Sequence, residues 1–435
     1  MNAERLGAAM DRRLFLRMAA SAGIGAALLP RLALAAAQPD RMAHVEAVVA
    51  RWVGTGHFPG LVASLGLPGQ PTQFVARGMQ AFTDGTPMSA DSLFRIYSMT
   101  KPITGIMAMQ LIAEGRLGLD QPLAEILPEY AQMQVQNQYD GSITALHPAP
   151  RAITIRQLLT HTSGLGYSIV QKGPIAALMR RQGLVPGQVT RISLPGLDWG
   201  TPVPGLEAFA QRLAKVPLVA DPGTAWHYSM GLDLMGRVIE VVTGQRFDAF
   251  LRERLFAPAG MASTSFQVSP RDAHRLTTNY GVVAGHLVPI DPGETSVFLS
   301  APAFPFGGSG LVSSPRDYDR FLRLLAQGGM LDGRRILSEQ AVRVGTSNLL
   351  PPGVPLPVID GAPRSGFGAG GRVGLGAEAG IFGWSGAAGT VAMVDMVHGY
   401  RSQLFAQFMP PNALGLLPEF QRALKADIMA ILETS

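Results

Sequence analysis

The sequence predicts an α/β chain of the α+β type: one antiparallel sheet flanked by helices, with a mostly helical insertion between its two halves. Two observations carry this. Runs of strand character lie near both ends, at 61–76 and 390–408, whereas residues between about 119 and 299 read as helices joined by long irregular connections. Strands from two chain ends that share a sheet need helices over their apolar faces. The implied division is a sheet part at about 38–120 and 300–435 and an insertion at about 121–299, preceded by a separate segment, 1–37.

Segment 1–37 has a charged start (Asp11-Arg12-Arg13-Leu14-Phe15-Leu16-Arg17), an apolar run from Met18 to Leu29, and a small-residue stretch from Leu32 to Ala37. That order describes an export signal with an A-x-A cleavage site. The paired arginines with Leu-Phe-Leu after them resemble a twin-arginine signal. The twin-arginine export machinery is then an expected partner, and the location is periplasmic or secreted, with a membrane tether if the segment is not cleaved. The run itself is shorter than the roughly 20 apolar residues a bilayer requires.

Met42, Val45, Val48, Val49 and Trp52 recur at helical spacing, which predicts a helix over 41–56. Leu61–Leu65 reads as a strand, Pro68–Pro71 as a turn, and Thr72–Ala76 as the returning strand. Ile103, Met107, Leu111 and Ile112 share one face of a helix from Lys101 to Glu114, ended by Gly115. Pro102 fits its first turn, where amide partners are lacking anyway. Ile155–Thr160 is a helical turn, and the Gly- and Pro-rich stretch 172–200 reads as loop. Leu232–Val242 is a helix capped by Gly244; a further helix starts at Ser314 as N-cap, with Pro315 in first position, and runs to Ala326. Thr390–Asp395 is a strand, His398-Gly399 turns it, Gln403–Phe408 returns, and a last helix spans about 417–432.

Composition narrows the function. With 47% hydrophobic and 15% charged residues in 435, the chain can build a large core. It has no cysteine, which excludes disulfides, zinc thiolates and thiol nucleophiles. Removing residues 1–37 takes away five arginines and two acids and brings the net charge from +5 to +2. No cationic cluster with interleaved aromatics is present, so no nucleic-acid partner is expected. The eight histidines form no His-x-His or His-Glu-x-x-His, so no metal site is expected, and no Gly-x-Ser-x-Gly occurs.

The chain has only four lysines against 32 arginines, and one of them, Lys101, lies three residues after Ser98. Arginine does not surrender its proton, whereas lysine can. Ser and Lys at i and i+3 on a first helical turn share a face. The free amides of that turn, the N–H of Ser98 included, can receive a developing oxyanion. This suggests a serine nucleophile activated by an amine. The bland alternative is a surface helix start with a capping serine and a solvated lysine.

Three further segments, taken with Phe94–Lys101, resemble the serine β-lactamase and penicillin-binding-protein superfamily, and most of all its class C β-lactamase and family VIII carboxylesterase branch. The Ser98-Met99-Thr100-Lys101 segment matches the Ser-x-x-Lys box, which implies Ser98 as nucleophile and Lys101 as its base partner. Thr154–Leu165 looks like a structural helix-and-turn box, and His161 within it is not taken as catalytic. Trp226-His227-Tyr228-Ser229-Met230 falls where the family has Tyr-x-Asn, implying Tyr228 as second acid/base and Met230 at the substrate. Phe382-Gly383-Trp384-Ser385-Gly386-Ala387 falls where it has Lys-Thr-Gly. Trp384, Ser385 and Gly386 would then border the substrate and the N–H of Ala387 would be the second oxyanion donor. The resemblance runs through essentially all of the chain after residue 37.

Two departures bear on specificity. Met230 replaces the asparagine that would meet a substrate amide, and Trp384 replaces the lysine that would hold a substrate carboxylate. Such a pocket favours an apolar, uncharged substrate, so the resemblance implies a cofactor-free carboxylesterase rather than a β-lactamase or D-Ala-D-Ala carboxypeptidase. The remaining alternatives are those two activities on a β-lactam-like or peptide substrate, and a catalytically silent binding protein on the same fold.

Overall fold

The computed structural model describes residues 41–192, 200–358 and 364–434. The expected export signal at 1–37 lies outside the described residues. The strands are β1 (Gly60–Gly66), β2 (Gln73–Ala81), β3 (Asp84–Pro87), β4 (Gly366–Phe367), β5 (Arg372–Val373), β6 (Ile381–Gly386), β7 (Thr390–Asp395) and β8 (Arg401–Phe405). They form one antiparallel sheet in the order β4-β5-β6-β7-β8-β1-β2-β3. The chain ends meet at its centre, where Ala63 lies opposite Leu404 on one side and Val75 on the other.

Helices cover both faces, so β1 is buried at every residue. Leu61, Ala63 and Leu65 point to one layer with α1 (Ala43–Gly54) and α6 (Leu416–Thr434). Val62 points the other way, into the main core, as the two-residue period of a strand requires. Helix α1 lacks a side-chain cap of its own. Asp427 of α6 supplies one, its two oxygens accepting from the backbone N–H groups of His44 and Val45 at 2.9 Å each.

The second face carries α2 (Thr100–Ala113), buried from Thr100 to Leu111. A single turn of 3₁₀ helix, Tyr97–Met99, leads into it. Between α2 and the late strands lie α3 (Gly173–Arg181) and α4 (Gly231–Thr243), the latter ended by Gly244 in the left-handed region at φ 71°. Helix α5 (Pro315–Ala326) starts on Ser314, whose hydroxyl accepts from the Asp317 N–H at 3.2 Å. Short hairpins at 134–148 and 279–291 interrupt the mostly helical middle of the chain.

Two local expectations need correction. The stretch 172–200 holds helix α3, because Ile175 and Met179, four residues apart, are both fully buried and a proline occupies its first turn. The returning strand stops at Phe405, and the chain then leaves the sheet to pair Phe408-Met409 alongside Tyr280-Gly281.

Gly105 shows how closely α2 is seated. A Cβ there would run into the carbonyl oxygen of Ala369 in the loop before β5. We expect Gly105→Ala to cost about 1–3 kcal/mol, the usual range for overpacking a core, seen as a lower denaturation midpoint. No helix among the described residues is long and apolar enough to cross a membrane.

Candidate active site

Everything at the head of α2 depends on a sharp entry. Phe94-Arg95 pairs with Val312-Ser313. Tyr97 then adopts φ 41°, a left-handed conformation that a bulky residue rarely takes. Its ring is held by the edge of Phe298 at 6.3 Å and its hydroxyl accepts from the Asn279 amide at 3.4 Å. This turn delivers Ser98, partly exposed among buried neighbours, to the mouth of the helix.

Lys101 is fully buried one turn further on. Its Nζ donates to Ser98 Oγ at 3.3 Å and to the Gly308 carbonyl at 2.7 Å. It lies over the Tyr228 ring, 4.6 Å from the centroid, and 5.3 Å from that of Tyr167. The Tyr228 hydroxyl donates to Ser98 Oγ at 2.8 Å. The hydroxyl, amine and phenol singled out in the sequence are therefore in mutual contact, although Tyr228 lies 130 residues from Ser98.

Tyr228 is held in an aromatic box. Trp226 stacks on it (6.1 Å, 17°), His161 meets it edge-on at 4.8 Å, and Trp384 leans on it at 5.9 Å while donating its Nε1–H to the phenol oxygen at 3.4 Å. His161 is buried, at φ 57°. Its Nδ1 accepts from the Ser229 N–H at 3.2 Å, which leaves the ring proton on Nε2. Burial, with the nearby Lys101, holds its pKa well below the ordinary value. The neutral ring braces residues 228 and 229 and forms no hydrogen bond with Ser98.

Strand β6 forms the opposite wall. A Cβ on Gly386 would strike the Ile96 carbonyl, so only glycine lets the strand end lie this close to the turn bearing Ser98. Ser385 and Ala387, on either side of it, are half-buried, and Trp384 is 6% exposed against Phe367. Met230 does not belong to this wall. It is fully buried in the main core with its N–H bonded to the Gly166 carbonyl, so it is a packing residue rather than a substrate contact. Among the described residues, no group of three or more His, Asp or Glu could hold a metal.

One group the sequence reading missed is Asp233, 2% exposed on α4. Its Oδ1 accepts from the Gly308 N–H at 2.8 Å, and the Gly308 carbonyl is the acceptor for Lys101. The backbone of one residue, Gly308, thus bridges the acid and the amine through its two flanking peptides, while Oδ2 has no partner. Burial raises the Asp233 pKa from 3.8 to about 6, against the opposing pull of Lys101. A visible signal did exist: an acid within the apolar run Leu232-Asp233-Leu234-Met235. Because the raised value belongs to the folded state, Asp233 adds stability when protonated, and that contribution is lost as pH climbs from about 4 through 6. We expect Asp233→Asn to gain roughly 3 kcal/mol relative to the parent between pH 4 and pH 7, measured by paired denaturation curves.

A family model described as Beta-lactamase matches residues 43–426. Protein Rv1367c of Mycobacterium tuberculosis is 36% identical over 267 residues, 61% of this chain and 62% of that protein, so the match spans about three fifths of the relative's length. Esterase EstB of Burkholderia gladioli is 31% identical over 296 residues, 65% of this chain and 69% of EstB. The solved structure of EstCE1, titled a hydrolase with promiscuous acyltransferase activity, superposes with a TM-score of 0.69 over 88% of this chain and 97% of its own, at 24% identity. That likeness shows a shared fold.

Proposed function

Because the chain belongs to the beta-lactamase family, we propose that it is a serine hydrolase that cleaves carboxylic esters through an acyl-enzyme. The observation that carries the reading is the double contact on Ser98 Oγ, from the Tyr228 hydroxyl at 2.8 Å and the Lys101 amine at 3.3 Å. With Lys101 in its neutral form, Nζ takes the hydroxyl proton as Oγ bonds to the ester carbonyl carbon. The carbonyl π electrons move onto oxygen, and the backbone N–H groups of Ser98 and Ala387 receive that charge. The oxyanion collapses, the C–O bond to the alcohol breaks, and Tyr228 protonates the departing oxygen, regaining its proton from Lys101. Water then repeats the sequence on the acyl-enzyme, with the same groups as base.

Ester preference is supported by the aromatic walls. Trp384 occupies the strand position where a carboxylate anchor would sit, and Phe367, Trp226 and Leu350 pack around it and Tyr228. A penicillin or a peptidyl-D-Ala chain would bring a carboxylate against this apolar surface. The esterase EstB among the relatives supports the same reading. The test is one panel of p-nitrophenyl esters, nitrocefin and a D-Ala-D-Ala peptide, with fluorophosphonate labelling alongside. Ester turnover above the other two is expected. Faster nitrocefin turnover would make the protein a β-lactamase, and failure to label would make it a silent binder. Residues 1–37 are proposed as a cleaved twin-arginine signal, checked by the mass of the exported mature chain.

A further inference from the structure

A cavity of about 310 Å³ lies beside the aromatic box, lined by Ala225, Trp226, Pro355, Leu356, Pro357 and Val358. Its lining includes no charged side chain. Prolines at 351, 352, 355 and 357 restrict the backbone of one wall, since each fixes φ and lacks an N–H. On that wall Leu356 and Val358 stand 36% and 68% exposed. Large apolar side chains beside a concave surface without charged side chains mark a place where an apolar group can bind.

One residue is common to the cavity and to the aromatic box around the reacting centre. Trp226 lines it and also stacks on Tyr228, whose hydroxyl touches Ser98 Oγ. In the mechanism above Tyr228 delivers the proton to the leaving oxygen, so the half of the ester beyond Tyr228 is the alcohol half. We propose that this cavity is the binding site for the alcohol portion of the substrate, and that this portion is an aryl or medium-chain alkyl group. Size agrees with that class: a dry cavity of about 150 Å³ holds one benzene ring, so two fused rings or a comparable alkyl chain fit here. The inference rests on the ester-hydrolase reading, which supplies the direction of the leaving group.

The experiment keeps the acyl group at acetyl and compares 1-naphthyl acetate with methyl acetate. For the parent, kcat/KM should favour the naphthyl ester. Leu356→Asp and Val358→Asp, changes at exposed positions of the proline-rich wall, should each lower kcat/KM for the naphthyl ester roughly tenfold, mainly through KM, and leave methyl acetate within about twofold. The preference for methyl decanoate over methyl acetate should not move. In parallel, calorimetry on the Ser98→Ala protein should show saturable binding of 1-naphthol, weakened by adding Leu356→Asp. A naphthyl preference that survives both substitutions overturns the inference, as does a change in the acyl series instead. If the parent hydrolyses neither ester, the hydrolase reading fails on its own; 1-naphthol binding lost on Leu356→Asp still supports the cavity as a site, and no binding overturns it.

Discussion

Ser98→Ala should lower ester turnover by about 10⁴-fold or more, while its denaturation midpoint stays close to the parent's. The magnitude follows from what removing a nucleophile does to a catalytic set that acts as a unit. Stability should hold because Ser98 is partly exposed and its hydroxyl accepts only from Tyr228 and Lys101. Two companions sharpen the test. Lys101→Arg keeps a long basic side chain at the site, but a guanidinium does not give up its proton and so cannot act as the base; its loss should approach that of Ser98→Ala. Tyr228→Phe keeps the aromatic box and removes only the phenol, for a loss nearer 10²–10⁴-fold, the usual worth of a general acid. Because the three groups act on one oxygen, Ser98→Ala with Lys101→Arg should cost little more than Ser98→Ala alone. Full turnover of p-nitrophenyl acetate by Ser98→Ala would remove the proposed chemistry from this helix.

The residues of that set were legible because their chemistry is local or ordered along the chain. Ser98 and Lys101 declare themselves by a three-residue spacing at a helix start and by the scarcity of lysine. Tyr228 and the Trp384 segment declare themselves by matching boxes in the right order. The sheet was legible for a related reason, since the apolar runs that form β1 and β7 are each followed by turn residues, Pro68–Pro71 and His398-Gly399. What stayed hidden depends on contacts across the fold. Asp233 is hydrogen-bonded toward Lys101 through the backbone of Gly308, 75 residues further along. Met230 was placed at the substrate by its match to the third position of Tyr-x-Asn, but as the N-cap of α4 it is fully buried in the core. Helix α3 was masked by the glycines and prolines around it, although Ile175 and Met179 had the spacing of a buried face.

Asp291→Ala should destabilise the protein by about 3–5 kcal/mol, the cost of leaving a buried charge without its partner. The charge is Arg95, fully buried three residues before Ser98. All five of its donors are engaged. Nε bonds Asp291 Oδ2 at 2.7 Å; Nη1 reaches the Thr277 carbonyl at 2.6 Å and Gln407 Oε1 at 3.2 Å; Nη2 reaches Ser296 Oγ at 2.9 Å and the Asp291 carbonyl at 3.1 Å. Asp291 in turn accepts from Ser296 Oγ at 2.6 Å and the Val297 N–H at 3.0 Å. One guanidinium therefore ties the strand that leads to Ser98 to the 277–296 hairpin region and to the end of the sheet. Tyr97, at φ 41°, lies between this anchor and Ser98. A backbone so far from its preferred region stays there only while its surroundings hold it. Asp291→Ala should thus also slow fluorophosphonate labelling of Ser98 at temperatures where the protein is still folded. The paired replacement Arg95→Met with Asp291→Leu removes both charges, so it should be less destabilising than Asp291→Ala alone. Labelling in that double variant separates the two roles. If the anchor matters only for stability, labelling recovers with the denaturation midpoint; if it also sets the turn at Tyr97, labelling stays slow.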